Sequence, residues 1–275
     1  MPYILITNGV TGSGKSKLIT ETIKYYGLDK VYTEILIDNL VENNPTYKTL
    51  VRQIMKDVTD KCNNDVKCVK SNYTNPTDEL LDRFSSAYYT VRKSPNCVIG
   101  NVATCDEYND SKLRDAFLQH KNVVFETQGL VIPNWLIDGI VPSDYRVIFA
   151  YTLVSLEKVA CRNIRRIQNS IELFKTNSNA AAPRLPDVRK HVLEEKIKSI
   201  LNTLQYLLRS CMRSGTVKSK CPKRKIDNLV IFDNDTSSHV KIFDSSDIHK
   251  LSYKQLDELL RKYVLATKKV GAKTV

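Results

Sequence analysis

Short apolar runs alternate along this chain with longer stretches in which apolar residues recur every third or fourth position. The short runs predict strands and the periodic stretches predict helices. Their alternation predicts an α/β fold, with a central, mainly parallel five-stranded sheet flanked by crossover helices. Residues 3–7 read as the first strand and end in Asn8-Gly9. Residues 34–37 give a second strand ending at Asp38, and 122–125 a third ending at Glu126. Residues 146–151 and 229–232 supply the fourth and fifth, with 240–243 as a candidate hairpin partner for the fifth.

The helix predicted over 14–26 carries Leu18, Ile19, Thr22, Ile23 and Tyr26 on one side, and Gly27 suits its C-cap. Residues 46–60 and 77–93 are helical in pattern, while 62–76, rich in Asn and Lys, reads as a loop. Two longer helices follow the fourth strand. One, over 155–174, starts at the N-cap candidate Ser155 and aligns Leu156, Ala160, Ile164, Ile167, Ile171 and Phe174. The other, over 187–212, aligns Leu193, Ile197, Ile200, Leu204 and Leu207. The connector 175–186 is small, polar and proline-bearing, and is expected to be mobile. No linker separates two domains. Residues 1–275 are therefore expected to form a single domain, with a helical insertion at 46–120, a basic lid and helical region at 155–225, and C-terminal strands and a helix at 229–266.

The 275 residues are 42% hydrophobic and 26% charged, enough to fill a core and too apolar for global disorder. No window approaches eighteen uninterrupted apolar residues, so neither a transmembrane helix nor a membrane partner is expected. The amino end lacks the basic and apolar regions of a secretory signal. Seven cysteines form no Cys-x-x-Cys pair, which points to reduced thiols in a cytoplasmic protein. Four scattered histidines show no ligand spacing.

Charge changes the picture more. The net +12 is not spread evenly: residues 1–150 hold 17 Lys/Arg against 18 Asp/Glu, whereas 157–225 hold 17 against 5. A field that concentrated attracts phosphate, nucleic acid or an anionic membrane, the plain alternative being a solvated, Lys-rich helical surface.

Candidate chemistry centres on Gly9-Val-Thr11-Gly12-Ser13-Gly14-Lys15-Ser16, which fits the P-loop pattern Gly-x4-Gly-Lys-Ser/Thr between a predicted strand and a predicted helix. Glycines let successive N–H groups turn inward onto phosphate oxygens, and the following helix adds its positive end. The expected nucleotide-binding set is Gly9, Thr11, Gly12, Ser13, Gly14, Lys15, Ser16 and Lys17. Lys15 would reach the terminal phosphates and Ser16 would ligate Mg²⁺. No Asn-Lys-x-Asp string for guanine is present. Nor is there an apolar run ending in paired acids, as in motor ATPases. Single acids at strand ends suit kinases of small molecules and nucleotides.

These residues resemble the zeta-toxin-like branch of P-loop kinases. The likeness is carried by the P-loop, by Ile35-Leu-Ile-Asp38-Asn39 with Pro45-Thr-Tyr47, by Asn122-Val-Val-Phe-Glu126-Thr-Gln-Gly129, and by Ile231-Phe-Asp-Asn234. An Arg-rich helix and Pro183-Arg-Leu-Pro186 resemble the family's lid. The resemblance implies ATP·Mg²⁺-dependent phosphorylation of a hydroxyl, in the bacterial toxins a sugar on a uridine diphosphate carrier. The chain departs from that pattern at Leu40, where the family has its second acid, and at Gln128, where it has Thr.

Asp38 is then the candidate base and substrate ligand. Glu126 is a candidate for metal or substrate, and Thr127 for substrate. Arg162, Arg165, Arg166 and Arg184 are candidates to neutralise the transferring phosphoryl, with Arg166 and Arg184 favoured. The expected partners are a nucleoside triphosphate and a phosphate-accepting small molecule such as a nucleotide sugar, with nucleic acid an option for the basic 157–225 region. Two rival readings are a nucleoside, nucleotide or polynucleotide kinase, and a nucleotide-dependent binding protein with little catalysis. No protein partner is indicated.

Overall fold

The structure, a computed structural model, describes residues 1–98, 100–177, 179–186, 188–212, 221–235, 239–247, 255 and 258. The apolar runs form β1 (Tyr3–Asn8), β2 (Thr33–Ile35), β3 (Val123–Thr127), β4 (Arg146–Leu153), β5 (Asn228–Asp233) and β6 (Val240–Asp244). They make one sheet in the order β2-β3-β1-β4-β5-β6. The first five are parallel and β6 returns antiparallel on β5, so the sheet has six strands rather than five. β1 lies in the interior with all six residues buried, which is why it reads as one unbroken apolar run. Its neighbours, β3 on one side and β4 on the other, make its carboxyl end a topological switch point, where open α/β sheets bind ligands.

α1 (Lys15–Tyr26) follows β1 and buries Leu18, Ile19, Thr22 and Ile23. These pack on Tyr3, Leu5, Val124, Ile148, Val230 and other sheet residues. Each buried aliphatic side chain contributes about 1.5–3 kcal/mol, so this one face anchors the helix. Gly27, at φ +61, ends it as expected, with the Leu28 N–H donating to the Ile23 carbonyl at 2.9 Å.

The described chain divides into two compact units. The sheet unit comprises Met1–Ile35, Asp115–Ala160 and Arg189–Val275, and a helical unit comprises Leu36–Arg114 and Cys161–Val188. The helical unit holds α2 (Ile37–Asn43), α3 (Pro45–Lys61), α4 (Val66–Thr74), α5 (Asp78–Lys93) and most of α6 (Cys105–Leu118) and α8 (Leu156–Thr176). Its core includes Tyr47, Val51, Phe84, Ile167, Ile171 and Phe174. The sheet unit adds α7 (Asn134–Ile137) and α9 (Lys190–Tyr206), the latter running into a π-helical turn at Leu207–Met212. A helix expected within 229–266 lies largely outside the described residues.

Three expectations need correction. Residues 62–76 are not a loop: the Asp65 side chain accepts the Cys68 N–H as an N-cap, and Val69 and Tyr73, one turn apart, bury α4. The described part of the connector 175–186, which leaves out residue 178, is packed rather than mobile. Ala180, Ala182 and Leu185 are buried, the Ala182 N–H donates to the Glu42 carbonyl at 2.7 Å, and the Tyr47 hydroxyl donates to the Pro183 carbonyl at 3.2 Å. The cysteines are not all reduced thiols. Cys62–Cys68, Cys97–Cys105 and Cys211–Cys221 are disulfides, with Cα separations of 5.6, 5.0 and 5.4 Å, while Cys161 is free and exposed. Each bridge closes a short local segment, six to ten residues apart, a spacing that the search for Cys-x-x-Cys pairs passed over. Disulfides persist in oxidising surroundings, so the cysteines no longer argue for a cytoplasmic location. Among the described residues, no helix is long and apolar enough to cross a membrane.

Candidate functional site

In the sheet unit, the chain leaves β1 at Asn8 and reaches α1 through the glycine loop. Gly14 stands at φ +93, a left-handed conformation that side chains rarely adopt, and a Cβ there would lie 2.5 Å from Asn234 Nδ2. At Gly9 a Cβ would strike Ser13 Oγ and Thr152 Cγ2. Glycine is therefore required at both positions. The turn closes through the Ser13 N–H donating to the Val10 carbonyl at 3.0 Å.

Behind the loop, the Ser13 carbonyl accepts from Asn234 Nδ2 at 2.6 Å and from Thr152 Oγ1 at 3.3 Å. Thr152 Oγ1 lies 3.4 Å from His239 Nε2. The C=O and N–H of a trans peptide point in opposite directions, so pinning this carbonyl toward β4 and β5 turns the Gly14 N–H away from them. The sheet thereby aims a backbone donor.

Lys15 Nζ donates to the Gly9 carbonyl at 3.0 Å and the Val10 carbonyl at 3.4 Å, and lies 3.5 Å from Glu126 Oε1. The structure thus brings together Lys15 from α1 and Glu126 from β3, two residues predicted separately. Glu126 sits inside β3 rather than just past its end. Ser16 and Lys17 are exposed on the first turn of α1, and Thr11 and Gly12 are half-buried. Thr127 Oγ1 accepts the Gly129 N–H at 3.3 Å, which gives it a turn-holding part. The hydroxyls of Thr7 and Ser13 and the Gln128 side-chain oxygen are buried without a hydrogen-bond partner among the described residues. Backbone donors, a lysine ammonium, orphaned hydroxyls and a helix start form a set that fits a phosphate chain. Ser16 and Glu126 are oxygen donors suited to Mg²⁺, although no group of three metal-ligating side chains occurs among the described residues.

A second polar cluster lies within the helical unit. The expected strand ends early at Ile35, so Asp38 falls in the first turn of α2 and Glu42 one turn later on the same face. Arg184 bridges them: its Nη1 pairs with Asp38, and its Nε lies 3.7 Å from Glu42 Oε1. The Tyr88 hydroxyl, from α5, donates to Asp38 Oδ1 at 2.6 Å, and the guanidinium sits 5.4 Å from the Tyr88 ring centre. Arg184 is only 15% exposed. Burial alone would pull its pKa down, but Asp38 and Glu42 outweigh that and hold it above the usual arginine value. Burial, then the Asp38 charge, pushes the Tyr88 phenol up.

Of the other candidate arginines, Arg166 reaches Glu42 only at 3.9 Å and is half exposed, Arg165 is exposed and Arg162 is half-buried. Sequence reasoning missed Glu42, Tyr88, Thr152 and His239. The four-residue step from Asp38 to Glu42 was a usable signal for the first. Nothing in the string marks the others, because long-range packing brings them in.

No protein-family model matches the chain, and no curated protein matches it. Among solved structures it is similar to one from the PezAT chromosomal toxin–antitoxin system of the human pathogen Streptococcus pneumoniae. The two share 12% identity and a TM-score of 0.50 over 98% of this chain and 85% of that one. At that identity the likeness is one of fold, a mainly parallel sheet flanked by helices, in keeping with the resemblance carried by the motifs.

Proposed function

We propose that the protein is a P-loop phosphotransferase that moves the γ-phosphoryl of ATP to a hydroxyl of a small molecule such as a nucleotide sugar. One observation carries this reading: a glycine turn at the switch point of the sheet, with its Ser13 carbonyl pinned from behind and Lys15 held over it beside Glu126.

In this reading the loop amides and Lys15 hold the triphosphate, and Ser16, with Glu126, offers oxygens to Mg²⁺. When bound, that ion would neutralise charge on the phosphate oxygens. The acceptor oxygen attacks the γ-phosphorus, the bond to the β-phosphate oxygen breaks, and ADP leaves. The hydroxyl proton passes to a carboxylate. Asp38, which matches the first of the family's two acids, takes over that part from the position that Leu40 fills, and Arg184 takes the charge-neutralising part, with Arg166 the weaker candidate. A labelled-ATP screen across nucleotide sugars, nucleosides and oligonucleotide ends tests this, with Lys15→Ala as the control. Label transfer to no acceptor would remove the kinase reading.

A second reading has support of its own. Asp38 is engaged by both Arg184 and Tyr88, and Leu40 stands where the family has its acid. Both facts suit a nucleotide-dependent binding protein with little turnover. The basic 157–225 segment favours a nucleic acid as the partner or acceptor.

A further inference from the structure

β1 carries one aliphatic hydroxyl, that of Thr7. The residue is fully buried, and its hydroxyl is without a hydrogen-bond partner among the described residues. Leaving a buried hydroxyl unpaired costs about 1–3 kcal/mol, a cost that valine, of nearly the same shape, would not incur. Ile4, Leu5 and Ile6 before it are purely apolar, so a hydroxyl at this point of the strand needs an explanation.

The register of the sheet supplies one. Thr7 lies opposite Glu126 in the parallel pair of β1 and β3, so both side chains stand on the same face of the sheet, on strands about 4.8 Å apart. That face is the one under α1, since Leu5 and Val124, two residues earlier in each strand, pack with Leu18, Ile19 and Ile23. Thr7 and Glu126 therefore stand one step nearer the carboxyl end, where the glycine loop turns into α1. On its other side Thr7 faces Ala150, which offers only a methyl group. Glu126 is thus the ionisable neighbour of Thr7 across the ladder, and its Oε1 lies 3.5 Å from Lys15 Nζ.

We infer that Thr7 is a positioning residue for the Mg²⁺ seat. When a triphosphate takes up the Lys15 ammonium, the Thr7 hydroxyl donates to one Glu126 oxygen and holds the other toward the ion. The inference rests on the phosphate cradle of the proposed function and on nothing about the acceptor.

The test is calorimetric titration of the β,γ-imido analogue of ATP into the full chain, in excess Mg²⁺ and in chelator. In Mg²⁺, Thr7→Val should weaken binding by about tenfold or more, the worth of a hydrogen bond to a charged group. In chelator that loss should be absent, because the carboxylate and the phosphates then repel each other and holding Glu126 in place gains nothing. Thr7→Ser should restore the Mg²⁺-dependent affinity. On a Glu126→Ala background, Thr7→Val should cost nothing further. The valine variant should melt no lower than the unsubstituted chain, since it loses only an unpaired buried hydroxyl. Undiminished affinity of Thr7→Val in Mg²⁺, an equal loss in chelator, no recovery with Thr7→Ser, or a further loss on the Glu126→Ala background would overturn the inference. An unsubstituted chain that binds the analogue equally well with and without Mg²⁺ would remove the ion seat and leave the cradle standing. Binding in neither condition would remove both.

Discussion

Lys15 draws its place from three oxygens, the Gly9 and Val10 carbonyls and a Glu126 carboxylate oxygen. An alanine there removes the one cation over the loop's open turn that the P-loop pattern requires. Triphosphate affinity should fall by about 100-fold or more, the worth of two charge-assisted hydrogen bonds. Calorimetry showing unchanged affinity would contradict the cradle. Asp38→Asn separates two parts that one residue could play. If Asp38 accepts the hydroxyl proton, transfer should drop by about 10²–10⁴-fold while ATP affinity stays. If it only anchors Arg184, the rate survives and the melting temperature falls instead. Arg184→Ala leaves Asp38 and Glu42 facing each other with their shared cation gone, and should cost about 3 kcal/mol of stability in urea titration. Arg184→Lys should recover only part of that, because an ammonium lacks the planar fork that reaches two carboxylates.

Among elements, the turn between β1 and α1 depends on β4 and β5 as much as on its own glycines. Asn234 and Thr152 hold the Ser13 carbonyl from behind the loop. Thr152→Val keeps the shape and removes the donor, so it should weaken triphosphate binding with little change in melting temperature. Thr152→Ser should restore affinity, and a valine variant with normal affinity would refute this role. The disulfides act at the same scale. Closing segments of six, eight and ten residues stabilises by about 2 kcal/mol each in the chain-entropy picture. Reductant should therefore lower the melting temperature. Under native, non-reducing conditions Cys161 should be the one cysteine that alkylates, and mass spectrometry would count it.

Over the whole molecule, buried phenols set the alkaline limit. Burial, aided by the charges of Asp29 and Tyr32, pushes Tyr3 up to about 12, and burial does the same for Tyr73. Tyr26, Tyr47, Tyr88 and Tyr151 are driven further in the same direction, chiefly by burial. A phenol raised above its ordinary value of 10.0 contributes stability that is intact below pH 10 and is lost as pH climbs toward 12. Phenolate absorbance from these six should therefore appear together with unfolding. Ionisation of all fourteen tyrosines in the native protein near pH 10, before unfolding, would show these six to be accessible.

The sequence by itself determined that the sheet is mainly parallel, where most of its strands lie, and the glycine loop. Each follows from local rules: β1 had to be apolar on both faces, α1 had to repeat its apolar residues by turns, and a tight turn around anions admits only glycine at Gly14. It also marked Lys15, Glu126, Asp38 and Arg184 one at a time. Tertiary structure alone decided their company. Glu126 meets Lys15 because β3 pairs with β1. Asp38 and Glu42 meet Arg184 because residues 175–186 fold back onto α2 and α3, burying Ala182 and Leu185 on the way. Such pairings span more than a hundred residues of chain, and no spacing rule reaches that far, since they are set by which apolar faces find each other.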